Sequence, residues 1–163
     1  MLQRYGIDLG GVIIGGPGND TQFFTKDYLA TPAVNASFEG VRKLVSLVGP
    51  ENAFLVSKAR TNTRRKSLEW LRQPFREDFA GMDFFQYTGV IDSDDHVHFC
   101  DERRDKAPIA KELGITDFID DKAEVLTYME GIVPNRILFG PQKNPTPPGI
   151  IHLPSWREIS FLT

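Results

Sequence analysis

With one cysteine, Cys100, the chain cannot close a disulfide within itself or build an all-cysteine metal site. It has no apolar run long enough to span a bilayer and no basic, apolar leader of the secretory kind, so a soluble cytoplasmic protein is expected. It also lacks a basic excess. Nineteen Lys and Arg face 22 Asp and Glu, and a formal charge of −3 argues against broad nonspecific nucleic-acid binding. Two local basic clusters remain, Arg60, Arg64, Arg65 and Lys66, then Arg103, Arg104 and Lys106. There is no internal repeat. What is present, 163 residues with 40% hydrophobic and 25% charged, is the composition of one globular domain spanning residues 1–163.

Short apolar runs alternate with segments of helical period, the pattern of a parallel sheet covered by helices, and the fold class is therefore α/β. Strands are expected at Tyr5 to Ile7, Ala53 to Val56, Val97 to Cys100, Asp117 to Ile119 and Arg136 to Phe139, with Ile150 to Leu153 as a short addition. Ser37 to Val48 reads as a helix capped by Ser37, with Phe38, Val41, Leu44, Val45 and Val48 on one face and Gly49-Pro50 as its stop. Further helices are expected over Thr63 to Leu71, from Pro108 to Gly114, and from Ala123 to Glu130. Residues 14–36 differ. Gly15 to Asp20 is turn material, and Gln22 to Phe24 with Tyr28 to Ala30 suggests a small β-hairpin flap beside the first strand.

In Tyr5-Gly6-Ile7-Asp8-Leu9-Gly10-Gly11-Val12, an acid stands where an apolar strand breaks into a glycine turn. Ligands of open α/β sheets bind beyond the carboxyl ends of strands, so Asp8 is placed to be a nucleophile or a metal ligand. Ser57, Lys106 and the pair Asp120 and Asp121 also follow or neighbour strand candidates. A carboxylate nucleophile, a hydroxyl donor, a cation and a metal-binding acid are the groups that phosphoryl transfer needs. Mg²⁺ held by the acids, with the lysine, would offset the charge of a phosphate monoester and let Asp8 attack in line. Taken singly, Asp8 also reads as a turn residue, Lys106 as one charge on a solvated face, and Asp120 and Asp121 as a helix cap.

The segments Asp8-Leu9-Gly10-Gly11-Val12, Phe54-Leu55-Val56-Ser57, Lys106 and Phe118-Ile119-Asp120-Asp121 resemble, in order and spacing, the four motifs of the haloacid dehalogenase superfamily. The ending Ser155-Trp156-Arg157-Glu158-Ile159 resembles the tails of small nucleotidase-like members. The resemblance implies a three-layer α/β/α sandwich around a Rossmann-like parallel sheet, with a flap and no cap domain, and a Mg²⁺-dependent phosphatase working through an aspartyl phosphate. It makes Asp8 the nucleophile and a metal ligand, Ser57 the hydroxyl on the transferring group, and Lys106 the charge balance. The carbonyl of Gly10 and Asp121 would also meet Mg²⁺, with Asp120 behind, although the order of the two acids is open. Gly10, Gly11, Lys58 and Arg60 are the substrate-binding candidates. An open mouth suits a phosphorylated substrate such as a nucleotide, a nucleic-acid end or a phosphoprotein, or else a second copy of the chain as lid.

The departure from the motif is Gly10, where most phosphatases of this superfamily carry the aspartate that protonates the leaving oxygen. Loss of a general acid and base costs about 10² to 10⁴ in rate. Asp20 and His96 are substitutes by residue type. Two other functions therefore stand beside the phosphatase: a silent member of the fold that binds a phosphorylated ligand, and, disfavoured by the paired acids, a metal-independent dehalogenase. His96 and His98, alternating around Val97 after Asp92, Asp94 and Asp95, also suggest a zinc site or simple edge-strand polarity. The aromatic group Phe75, Phe79, Phe84, Phe85 and Tyr87 reads as core.

Overall fold

The computed structural model describes residues 2–15, 21–75 and 78–162. Six strands run parallel: β1 (Tyr5–Ile7), β2 (Ala53–Lys58), β3 (Val97–Cys100), β4 (Asp117–Asp120), β5 (Asn135–Phe139) and β6 (Ile150–Leu153), in the order β3-β2-β1-β4-β5-β6. The helices are α1 (Ser37–Val48), α2 (Thr61–Arg72), α3 (Phe84–Thr88), α4 (Lys106–Leu113) and α5 (Ala123–Tyr128).

Strand alternation sorts the side chains into two cores. Tyr5, Ile7, Leu55, Ile119 and Ile137 point to the layer of α1, α2 and α3. Phe54, Val56, Phe118 and Leu138 point the other way, onto Ala107 and Ala110 of α4 and Val125 and Leu126 of α5. The result is a three-layer sandwich with both sheet faces covered, which is why the strands read as short continuous apolar runs. Gly6 is part of the fit, because a Cβ there would lie 2.6 Å from the Phe118 ring. The aromatic group is core, with Phe38 ringed by Phe75, Phe79 and Phe84 at centroid distances of 5.1, 4.4 and 5.2 Å.

Two expectations need correction. Ser37 does not cap α1: the chain enters through Ala36 in the left-handed region (φ 61°), and the Ser37 hydroxyl donates instead to the Ile13 carbonyl at 3.4 Å. The expected pairing of Gln22 to Phe24 with Tyr28 to Ala30 does not form, since Thr21–Phe24 and Tyr28–Ala30 are short 3-10 turns, and the ends of the segment meet instead in an antiparallel bridge between Ile14 and Ala33. Its carbonyls are taken by α2 and by the residue at that helix's end, with Trp70 Nε1 donating to Thr31 O at 2.9 Å and Gln73 Nε2 to Leu29 O at 3.0 Å. Tyr28 donates its hydroxyl hydrogen to Glu69, and the Lys66 ammonium sits 5.1 Å from the Tyr28 ring centroid. Side chains of one helix and its cap thus hold the two turns where strand pairing was expected. Gly16 to Asp20, including the candidate Asp20, lies outside the described residues. Finally, α3 has a capping box that the sequence reading does not include: Asp83 accepts from the Gln86 amide at 2.8 Å while the Gln86 side chain accepts from the Asp83 amide at 3.1 Å.

Trp156, in the 3-10 turn Trp156–Phe161, ties the end of the chain to its beginning. Its ring lies against Gly40 of α1, where a Cβ would come within 2.4 Å, and its Nε1 donates to the Val12 carbonyl at 2.7 Å. Among the described residues, no helix is long and apolar enough to cross a membrane.

Candidate functional site

Ile7 is the last residue of β1 and pairs with Leu55 and Ile119, so the chain leaves the sheet at Asp8 while β2 and β4 continue beyond it. That register brings Asp8, Ser57 and the Asp120-Asp121 pair to one edge. The Asp8 amide donates to Ile119 O at 3.0 Å, and the next residues wind tightly. The Leu9 carbonyl accepts from Val12 at 3.1 Å, Ile13 at 2.8 Å and Ile14 at 3.0 Å.

The two glycines of this turn are not equivalent. Gly11 has a φ of 78°, and a Cβ on it would stand 2.3 Å from an Asp121 oxygen, so only glycine fits. Gly10 has no such φ, is exposed, and a Cβ there would meet nothing within 4 Å. Neither backbone strain nor crowding keeps a side chain off position 10.

Lys106 opens α4 and is buried, its Nζ donating to Asp8 Oδ1 at 3.0 Å and Asp120 Oδ2 at 2.7 Å. Burial disfavours its charge, but Asp8 and Asp120 outweigh that and hold its pKa above the ordinary lysine value. Asp120, fully buried, also accepts from the Lys122 amide at 2.9 Å. Burial, and then the charge of Asp8, pushes both Asp120 and Asp121 well above the carboxylate range. Oxygens of Asp8, Asp120 and Asp121 lie within 4.8 Å of one another. Three carboxyl groups against one lysine leave a site short of positive charge, and a hard divalent cation with oxygen ligands fits that donor set.

These groups surround a cavity of about 150 Å³. Asp8, Gly10, Ser57, Lys58, Lys106 and Asp121 line it, which gathers most of the sequence candidates in one place. Asp120 sits beneath, behind Lys106. Arg60 is not among the lining residues; its side chain is 74% exposed and its guanidinium lies 3.2 Å from Glu102. Arg64 is likewise turned away, donating to Ala59 O and Asp101. Arg103 does reach the rim, paired with Glu124 at 3.0 Å. Sequence reasoning missed Thr63, Ser67, Phe23, Phe24 and Lys122, all on the lining. The i, i+4 pair of hydroxyls on α2 and the lysine directly after the paired acids were the available signals.

Among the described residues, His96 and His98 gather no metal-ligand set. The His96 ring stacks on Phe54, with centroids 5.0 Å apart, and a ring nitrogen meets the Ser93 hydroxyl at 3.0 Å. His98 Nε2 meets Asp95 O at 2.8 Å. His96 also precedes β3, at the amino edge of the sheet, so it is no substitute proton donor at the carboxyl edge. Burial pushes the Cys100 thiol up to about 11, which makes it inert near neutral pH.

This all-parallel sheet, covered by helices on both faces and bearing acids at its carboxyl edge, is a Rossmann-type α/β/α sandwich, consistent with the haloacid-dehalogenase-like fold that the motifs imply. Among solved structures the chain is similar to the crystal structure of D,D-heptose 1,7-bisphosphate phosphatase from Burkholderia thailandensis, with a TM-score of 0.56, 12% identity and 99% of each chain covered. At that identity the likeness establishes the fold. No family model and no curated protein matches the chain.

Proposed function

We propose that the protein is a Mg²⁺-dependent phosphohydrolase that cleaves phosphate monoesters through an aspartyl phosphate on Asp8. The observation that carries this is the convergence of Asp8, Ser57, Lys106 and Asp121 on one cavity. The structural neighbour is a phosphatase, which agrees with this at the level of reaction class. Asp8 and Asp121 would hold Mg²⁺ with the Gly10 carbonyl, Asp120 supporting from below; bound there, the ion would neutralise charge on the phosphoryl oxygens.

The chain's own residues do the rest. Lys106 holds the Asp8 carboxylate in place and offsets its charge, while Ser57 donates to a non-bridging oxygen of the phosphoryl group. An Asp8 oxygen bonds to phosphorus as the ester P–O bond breaks, and the electron pair leaves on the ester oxygen. Water then attacks phosphorus, the Asp8–phosphorus link breaks, and one proton of the water stays on phosphate while the other goes to solvent.

The test is phosphate release from a panel of monoesters with and without Mg²⁺, Asp8→Asn serving as the blank. Mg²⁺-dependent release, absent in the variant, is expected. Gly10 favours one alternative, a protein that binds a phosphorylated ligand without turnover. Phosphate binding by a silent native chain, with turnover appearing in Gly10→Asp, would select it.

A further inference from the structure

The cavity joins two unlike surfaces. Its floor is the polar set around Asp8, but its wall is apolar: Phe23 and Phe24 from the segment between β1 and α1, Ile14 from the turn after Asp8, and Val125 of α5. Phe23 is buried, and Phe24, edge-on to it at 6.1 Å, is 63% exposed. The wall is held in place, because the Tyr28 ring packs edge-on to Phe23 at 6.3 Å and Tyr28 is itself fixed to Glu69 and Lys66 of α2. An exposed phenyl ring beside a charged floor exposes apolar area that a substrate's own apolar part would cover. Rings prefer offset or edge-on partners, so an aromatic group on the substrate would gain more here than its area alone provides.

A second observation concerns the leaving oxygen. Position 10 carries no acid, although among the described residues nothing within 4 Å would obstruct one. Among the described lining residues the only carboxyl groups are Asp8 and Asp121; the remaining charged groups, Lys58, Arg103, Lys106 and Lys122, are cations. This surface accepts a departing anion better than it protonates one. An alkoxide, whose conjugate acid ionises about as weakly as water, departs poorly in that way. A phenolate, with a conjugate acid near ~10 like tyrosine, departs far more readily.

Resting on the phosphohydrolase reading, we infer that the substrate is a small aryl phosphomonoester, its ring against Phe24 and Val125, whose oxygen leaves as a phenolate without protonation by the protein. The P–O(aryl) bond breaks as Asp8 bonds to phosphorus, the electron pair stays on the aryl oxygen, and the phenolate takes its proton from solvent. Water then hydrolyses the aspartyl phosphate, a step that does not depend on the leaving group.

The test compares kcat/KM, which reports phosphoryl transfer to Asp8, across substituted phenyl phosphates, phenyl phosphate itself and benzyl phosphate, which offers the same ring on an alkyl oxygen. In the native protein kcat/KM should fall steeply as the leaving phenol becomes less acidic, with benzyl phosphate at least ~10²-fold below phenyl phosphate. Gly10→Asp should flatten the slope and recover most of the benzyl deficit. Phe24→Ala should raise KM for every aryl substrate and leave the slope as it was. Mg²⁺-dependent turnover of phenyl and benzyl phosphates at equal rates would overturn the aryl inference and leave the phosphohydrolase intact. No Asp8-dependent release from any monoester would overturn both.

Discussion

Gly10 and Gly11 show how much two adjacent identical residues can differ. Gly11 is held to glycine by a left-handed backbone and by the Asp121 carboxylate against it. Gly11→Ala should cost about 1–2 kcal/mol from backbone strain alone and displace Asp121, whereas Gly10→Ala should change stability by less than ~1 kcal/mol. Denaturant melts of the two variants check this. Lys106 is the other residue on which the site depends, since its buried ammonium bridges Asp8 and Asp120. Lys106→Met should destabilise by about 3–5 kcal/mol by leaving buried carboxylates uncompensated. Adding Asp120→Asn should recover part of that loss, which a double-mutant cycle would measure.

Among the elements, the strand boundaries were legible because each strand is a short apolar run closed by a polar or turn residue. Val97–Cys100 and Ile150–Leu153 match the sequence reading residue for residue. The segment between β1 and α1 departs from that reading for an equally physical reason. Phe23, Tyr28 and Leu29 have strand-like propensity, but α2 and its cap offer Glu69, Trp70 and Gln73 as partners, and tertiary contacts override local preference. The closing turn carries weight because Trp156 fills the hollow over Gly40 and bonds Val12. Trp156→Ala should cost about 3–5 kcal/mol in thermal or denaturant melts. Because Val12 belongs to the turn that starts at Asp8, turnover should fall as well.

On the scale of the whole molecule, three carboxyl groups crowd within 4.8 Å of one another in a fold that is otherwise near charge balance. Asp120 and Asp121 have pKa values raised by burial and by Asp8, and burial raises Asp117 too. For an acid with a raised folded pKa, the stabilising contribution is present below the unfolded value and is lost as pH climbs through the folded one. Without metal, the melting temperature should therefore fall as pH rises from near 4 through neutrality. Mg²⁺ should reverse this, because it competes with protons for the same oxygens. At 100 times its dissociation constant, about 2.7 kcal/mol is expected, or roughly 5–10 °C, with a smaller shift at low pH and none of that size in Asp121→Asn. Calorimetry across pH with and without Mg²⁺ checks both signs.

Period and turn chemistry are local properties, so the α/β class, the order of strands along the chain and the residue types at their carboxyl ends can be read from the residues alone. Only the tertiary structure decided which candidates share the cavity. It seated Lys106 between Asp8 and Asp120, turned Arg60 out to Glu102, and brought Phe23 and Phe24 up as an apolar wall. Those outcomes depend on strand register and on side chains reaching across from α2, and neither is written in local spacing.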